Sequence, residues 1–300
     1  MRVLVTGATG FVGRWAVAEL SRRGAHVGAV SRTAGRVAGV DTFVCDLLVP
    51  AEARRVVTAF RPDVVLHLAW FVEHGRFWNA PENIDWVAAS LQLFRAVRDA
   101  GVARVVGVGT CFEYDWPAHS DCDEATTPIR PTTLYAVSKD AVRRICEEWN
   151  AFSFAWARLF YLYGPAEHPD RLVASIAGSL ARGEEARLSS GLVVRDYMRV
   201  EDAGAALAML ALSQVSGCVN IASGQGRSIR DIAETLARAA GREDLLRIGA
   251  LPDRSGDPPR IVGSIQRLGG EVGFAPAMTI EEGLRDACRR SLSREREDHE

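Results

Sequence analysis

No stretch of this 300-residue chain stays apolar for the ~20 residues that a membrane-spanning helix needs, because charged groups interrupt every hydrophobic run. Surplus charge is equally absent. Lysine and arginine (36) nearly balance aspartate and glutamate (38), leaving a formal net charge of −2 and a pI near 6.3. That balance offers no electrostatic footprint for nucleic acid or an anionic membrane. The six cysteines, at 45, 111, 122, 146, 218 and 288, form no CxxC pair and no Cys/His cluster. No metal site and no disulfide framework is therefore expected, and reduced thiols fit a cytoplasmic protein. Internal repeats and low-complexity blocks are also missing. The opening MRVLVTGATG runs straight into a strand and a glycine turn, so no signal peptide is expected. The closing SREREDHE reads as a solvated, frayed tail.

What is present is an ordinary globular composition, 48% hydrophobic and 25% charged, enough for one large domain or two modest ones. Short Val-rich runs (RVLVTG, AHVGAVS, TFVC, DVVLHLAW, ARVVGVG, FAWARLFYLYG) read as strands buried on both faces. Between them lie stretches with apolar residues three and four apart, such as ENIDWVAASLQLFRAVRDAG and YAVSKDAVRRICEEWN, as in helices packed on a sheet. This alternation predicts an α/β fold, a Rossmann-type doubly wound parallel sheet. Beyond about residue 165 strands thin out and helical patterns dominate. The expected division is therefore a dinucleotide-binding domain over 1–165 and a smaller helix-rich substrate lobe over 166–300, with a segment near 195–222 able to return to the first domain.

The first strand leads into TGATGFVG, where Gly7, Gly10 and Gly13 precede a helix. Glycines at this spacing permit a tight turn and let backbone N–H groups approach a pyrophosphate at the helix N-terminus. After the second strand, where an acid would hold a ribose 2′-hydroxyl, the chain has Ser31 and Arg32. A hydroxyl and a guanidinium suit a 2′-phosphate, so NADP(H) is favoured and NAD(H) is the alternative. Asp46, at the end of the third strand, can meet the adenine or cap the helix that follows. Tyr135 and Lys139 form a YxxxK that stacks on one helix face. A Lys ammonium held beside a phenol would favour phenolate and lower a pKa that starts near ~10.

The glycine turn, Thr110 at the end of the fifth strand and Tyr135/Lys139 together resemble the extended short-chain dehydrogenase/reductase family, also called the NAD-dependent epimerase/dehydratase family, in its sugar-nucleotide-modifying branch. HLAW (67–70), RLFYLYGP (158–165), RDYMRVEDAGAAL (195–207) and EVGFAP followed by TIEEGL are similar to the family's later signatures, so the likeness covers nearly the whole chain. The resemblance implies catalytic roles for Thr110, Tyr135 and Lys139: the Thr hydrogen-bonds the reacting oxygen, the Tyr transfers the proton and the Lys holds the nicotinamide ribose. It also implies cofactor contacts at Gly7, Gly10, Phe11, Val12 and Gly13, at Ser31, Arg32, Asp46 and Leu47, and at Leu68, Ala69 and Trp70. Arg195, with Arg254 as companion, would clamp a sugar-nucleotide diphosphate. A homodimer pairing helices near 84–100 and 135–150 is implied as well.

Departures from the family pattern narrow the chemistry. The family's 4,6-dehydratases place Asp and Glu directly after the Thr, where this chain has Cys111 and Phe112. Phe112 cannot move a proton, and Glu113 comes one residue late and is expected to face elsewhere. Cys111 reads as a small buried residue. Epimerases often carry Asn where this chain has Tyr161. The aromatic stretch WFVEHGRFWNAPEN (70–83) can roof the sugar, with Glu73 and His74 as candidate substrate contacts beside Cys111, Phe112 and Tyr161. His67 reads as a core histidine. The expected function is NADP(H)-dependent reduction of a nucleotide-linked keto-sugar, with a 4-keto-6-deoxyhexose as the expected substrate. The alternatives are a sugar-nucleotide 4-epimerase with retained NAD and a dinucleotide-binding member without turnover.

Overall fold

The computed structural model describes residues 1–33 and 39–297, so the end of the charged tail, 298–300, lies outside the described residues. Seven strands form one parallel sheet: β1 (Arg2–Thr6), β2 (His26–Ser31), β3 (Asp41–Val44), β4 (Val64–His67), β5 (Arg104–Thr110), β6 (Ser153–Leu159) and, much later in the chain, β10 (Gly217–Ile221). Their spatial order is β3-β2-β1-β4-β5-β6-β10, so the direction of winding reverses between β1 and β4. A cleft opens at the carboxyl ends of strands on either side of such a reversal.

The sheet is continuous apolar surface on both sides, which is why its strands read as unbroken hydrophobic runs. One face packs on α1 (Gly13–Arg22) and α6 (Val200–Leu212), with Val3, Val5, Ala16, Leu20, Ala203 and Leu207 in a single core. The other packs on α2 (Pro50–Phe60), α3 (Glu82–Asp99) and α4 (Leu134–Trp149), through Leu4, Val57, Phe60, Leu93, Phe94 and Trp156. Each such side chain, fully buried, is worth about 1.5–3 kcal/mol before entropy is counted. In the segment 200–221, α6 packs against α1, and β10 extends the sheet beyond β6.

The run FAWARLFYLYG, expected as one strand, is two. β6 ends at Leu159, the Phe160 N–H is taken by Ile221 O, and β7 (Tyr161–Tyr163) turns off to pair with β9 (Val194–Arg199). β9 also carries β11 (Gly226–Ser228) antiparallel and β13 (Arg260–Ile261) parallel, building a small second sheet. Around it sit α5 (Leu172–Ala181), the short strand pair β8 (Ala186–Arg187) and β12 (Leu246–Arg247), and α7 (Ile229–Ala240). The short α8 (Gln266–Gly270) and α9 (Ile280–Glu297) complete the chain, and α9 carries the first part of the expected tail as helix. Val173, Ile176, Leu180, Ile232, Leu236 and Leu284 close this lobe's own core. No helix among the described residues is long and apolar enough to cross a membrane. On the outer side of α3 and α4, Ile84 (60%), Val137 (45%) and Ile145 (44%) remain exposed.

Candidate active site

A cleft of roughly 1150 Å³ runs across the carboxyl ends of β1, β2, β4 and β5 and under the loops of the second lobe. Its floor is the β1–α1 turn. Gly7 adopts φ +67, and a Cβ at Gly13 would lie 2.1 Å from the Gly7 carbonyl oxygen, so this turn closes only with glycine. The helix α1 that follows has no side-chain cap and no acid in its first turn, leaving its positive end available to an anion. Gly7, Gly10, Phe11, Val12 and Gly13 all line the cleft, as do Leu68, Ala69 and Trp70 at the end of β4. This is a cradle of the shape a dinucleotide's pyrophosphate requires.

At the end of β2, Ser31 and Arg32 both line the cleft; Arg32 is exposed, and the Ser31 hydroxyl donates to Thr33 O at 2.7 Å. Asp46 does not reach the cleft. Its carboxylate accepts the Leu48 N–H at 3.0 Å and is held at the turn into α2, while Cys45 and Leu47 on either side line the wall. The local turn engages one of the two Asp46 carboxylate oxygens.

Thr110 ends β5 and lines the cleft. Its backbone N–H donates to Glu113 Oε1 at 2.9 Å, and its hydroxyl accepts the Phe112 N–H at 3.3 Å, a reciprocal cap on the 3₁₀ turn Cys111–Glu113. The same hydroxyl faces the Tyr135 phenol closely enough to favour its ionised form. Tyr135 sits in the first turn of α4, whose start is fixed by Thr133 accepting from Ala136 and by the Tyr135 N–H donating to Trp78 O at 2.9 Å.

Glu113 faces away from all this. It is wholly buried, accepting from Arg158 Nε at 2.7 Å and from Trp156 Nε1 at 3.0 Å. Burial works against the Arg158 guanidinium, but the neighbouring Glu113 carboxylate and Tyr114 hydroxyl outweigh it and hold the charge. Phe112 takes the cleft-facing place instead. Its ring packs edge-on against Trp78 (4.7 Å), Trp116 (5.3 Å) and Tyr161 (6.0 Å), while Phe77 meets Tyr135 at 4.9 Å. Phe77, Trp78, Phe112 and Tyr161 thus wall the space beside the phenol. Cys111 lines it too, with a buried thiol pushed well above its ordinary range by burial.

The expected Lys-induced phenolate is not what the geometry favours. Lys139 Nζ donates to Val108 O at 2.8 Å and lies 3.9 Å over the Trp70 ring, but 5.9 Å from the Tyr135 ring centroid. Burial, with the Glu113 carboxylate adding negative potential, pushes the phenol upward despite the opposing effect of the Thr110 hydroxyl. Burial also pulls the Lys139 ammonium down to about 7. In this dry corner, desolvation costs the phenolate more than a cation at that separation returns. Tyr135 is therefore a neutral, proton-bearing group near neutral pH. His67, on β4 behind the site, is neutral as well: Thr6 Oγ1 at 2.7 Å and Ser90 Oγ at 2.9 Å satisfy its ring, and burial lowers it to about 3.

Lys139 is the single lysine of the chain, against 35 arginines. Its compact ammonium sits between the Trp70 face and Val108 O. That count is a signal the motif spacing alone does not use.

The expected diphosphate clamp is only half present. Arg195 is 4% exposed and does not line the cleft; its guanidinium donates to Val194 O and Pro258 O at 2.8 Å and pairs with Asp257 at 2.5 Å. The pairing of β9 with β13 turns it inward, beneath Tyr161. Arg254 is exposed and lines the cleft, as do Glu73 and His74 on the loop after β4. Sequence reasoning missed His168 and Arg171, which join the lining from the segment between β7 and α5. Glu73 is the only acid among the described lining residues, and Arg76 pairs with it at 2.7 Å.

Comparison with known proteins agrees with this arrangement. The model for the NAD dependent epimerase/dehydratase family matches residues 3–222. A GDP-6-deoxy-D-mannose reductase from Pseudomonas aeruginosa is 29% identical over 99% of this chain and 99% of its own. A dTDP-6-deoxy-L-talose 4-dehydrogenase (NAD(+)) from Aggregatibacter actinomycetemcomitans is 24% identical over 88% of this chain and all of its own. The crystal structure of the Thermus thermophilus UDP-glucose 4-epimerase in complex with NAD superposes with a TM-score of 0.85 at 28% identity, covering 97% of this chain and 99% of that one.

Proposed function

Because the chain belongs to the NAD dependent epimerase/dehydratase family, we propose that it is an NADP(H)-dependent reductase of a nucleotide-linked 4-keto-6-deoxyhexose. The observation that carries this reading is the aromatic wall of Phe77, Trp78, Phe112 and Tyr161 beside the Tyr135 phenol. An epimerase must present both faces of one carbon to the same hydride, so its sugar ring has to turn over within the site. A sugar packed against a wall of four aromatic rings is poorly placed to turn, and a flat apolar wall suits a methyl group at C6 better than a hydroxymethyl. Dehydration is disfavoured because the Glu113 carboxylate beside Thr110 is buried on Arg158 and Trp156 and does not line the cleft.

The Gly7–Gly13 cradle, Ser31, Arg32, Leu47, Ala69 and Lys139 would hold the dinucleotide, which when bound supplies the hydride equivalent. The protein's own part is proton delivery. Tyr135 gives its phenolic proton to the carbonyl oxygen as that oxygen becomes an alkoxide, and the Thr110 hydroxyl hydrogen-bonds the same oxygen, a contact that strengthens as charge develops. Arg254 and Arg171 are the cations within reach of a diphosphate.

Support for the phosphorylated cofactor is the exposed Arg32 together with the lack of any acid at that end of the cleft among the described residues. Calorimetric titration of NADPH, NADP⁺, NADH and NAD⁺ into stripped protein tests it. Arg32→Ala should weaken NADPH about tenfold or more, the ~1.5–3 kcal/mol of a charge-assisted contact, and leave NADH unchanged. Preference for NAD⁺ by the unaltered protein would overturn the assignment. A 4-epimerase with retained NAD is the second reading, favoured by the likeness to the Thermus enzyme. Stoichiometry separates the two: a reductase consumes one NADPH per sugar converted, and an epimerase needs no net supply.

A further inference from the structure

Apart from Thr110, Tyr135 and Lys139, one cluster of ligating side chains lies at the mouth of the cleft. His74 comes from the loop after β4; His168 and Asp170 come from the segment between β7 and α5. The two imidazoles stack with centroids 4.6 Å apart and planes 17° apart. One ligand atom from each of the three residues lies within 4.8 Å of the other two. His168 Nδ1 accepts the Asp170 backbone N–H at 3.3 Å and stands 3.7 Å from the Asp170 carboxylate. The lone pair on that nitrogen now accepts the Asp170 N–H, which an ion would displace, with the Asp170 carboxylate close by.

The geometry points to a site for one borderline divalent transition-metal ion, of the Zn²⁺ or Ni²⁺ class, bridging the two chain segments that form the mouth. Two imidazoles and a carboxylate are a donor set for such ions, whereas Mg²⁺ and Ca²⁺ take oxygen donors. Ligand bonds of ~2.0–2.2 Å place donors about 3.3–3.5 Å apart in a tetrahedron, so the present spacing has to close by about an ångström. All three residues are exposed, and side-chain rotation alone can supply that movement. The nearby cation Arg171 is already engaged by Glu167 at 3.6 Å, and Glu73 by Arg76. His74 and His168 both line the cleft. An ion held between them would replace a ring stack with two coordinate bonds and fasten the mouth, slowing exchange of whatever the cleft contains.

The test is titration of the full chain with ZnCl₂ and, separately, NiCl₂, followed by calorimetry. One ion per chain should bind, and His74→Ala and His168→Ala should each weaken it at least tenfold, which is about 1.4 kcal/mol. Asp170→Asn should weaken it less. These exposed positions leave folding intact, which circular dichroism would verify. Unchanged binding in the double His variant would overturn the site, and so would binding only at millimolar metal. The second measurement is NADPH release by stopped-flow fluorescence. Zn²⁺ should slow it at least fivefold in the unaltered chain and not in the double variant. Equal release rates with and without bound metal would overturn the fastening role. The metal titration needs no sugar and no turnover, so its failure is distinguishable from failure of the reductase reading.

Discussion

Glu113 is where stability and catalysis can be told apart. In Glu113→Gln the shape is retained and the charge is lost. The carboxylate now accepts from Thr110 N, Trp156 Nε1 and Arg158 Nε. A carboxamide would turn an N–H₂ toward one of these donors and leave a buried guanidinium with Tyr114 Oη, at 2.9 Å, as its remaining side-chain partner. Breaking a buried ion pair from one side costs about 3–5 kcal/mol. Unfolding entropy of about 2.1 cal/mol/K per residue scales to about 0.6 kcal/mol/K for 300 residues, so the midpoint should fall by ~5–8 °C. Relaxation elsewhere is blocked: a Cβ at Gly109 would stand 2.2 Å from Glu113 Oε1, so the backbone already lies against the carboxylate.

The assay pairs thermal unfolding by circular dichroism with NADPH consumption on a dTDP- or GDP-linked 4-keto-6-deoxyhexose at 25 °C. A structural Glu113 predicts the large drop in midpoint with kcat reduced less than about fivefold. A proton-transferring Glu113 predicts the reverse, a loss of ~10²–10⁴ in kcat at nearly unchanged midpoint. The reverse pattern would refute both the structural reading of buried Glu113 and the argument against dehydration that rests on it.

Other perturbations have equally definite outcomes. Thr110→Val should lower kcat by ~10²–10³, as loss of an oxyanion-directed donor does, while Thr110→Ser keeps it within about tenfold; similar kcat for both would remove the hydroxyl from the mechanism. Lys139 is held from 10.5 down to about 7, so the unfolded chain binds more protons than the folded one between those values. Its contribution therefore makes stability rise with pH across that window, and below it the full burial penalty remains. Lys139→Met should abolish reduction yet raise the unfolding midpoint at pH 7 by a few degrees, an effect of about 2 kcal/mol after the lost Val108 contact; a lowered midpoint would contradict this. We also propose a homodimer through α3 and α4. Ile84→Glu with Val137→Glu should convert a two-chain species to one chain in sedimentation velocity, and a chain that sediments as a monomer before substitution would exclude it.

The parts of this molecule set by local pattern were legible in the chain. Val-rich runs predicted the parallel strands, the glycine spacing predicted the turn into α1, and the three-residue gap between Tyr135 and Lys139 placed both on one face of α4. What failed depended on partners distant in sequence. The side-chain fate of Arg195 is decided by β13 and the Pro258 carbonyl, and no pattern around residue 195 reveals them. Asp46 is a local exception: it accepts the Leu48 N–H before α2 and does not form the helix cap weighed from the sequence. The phenol's direction of shift reversed because a motif gives the spacing of Tyr135 and Lys139, whereas the pKa follows from how much water is excluded around each. His74 and His168 meet only because β7 leaves the main sheet, a break hidden inside an apparently continuous apolar run.

The solitary lysine has a practical consequence. With every other basic side chain an arginine or histidine, amine chemistry on this protein has two addresses, the N-terminus and the floor of the cleft. The second is an amine held near 7, so a useful fraction is uncharged and nucleophilic at neutral pH. An acylating or reductive-alkylating reagent small enough to enter would mark Lys139, and a bound dinucleotide would shield it. The chain therefore carries a built-in label whose yield reads occupancy of the site, with no engineered residue and no knowledge of the sugar.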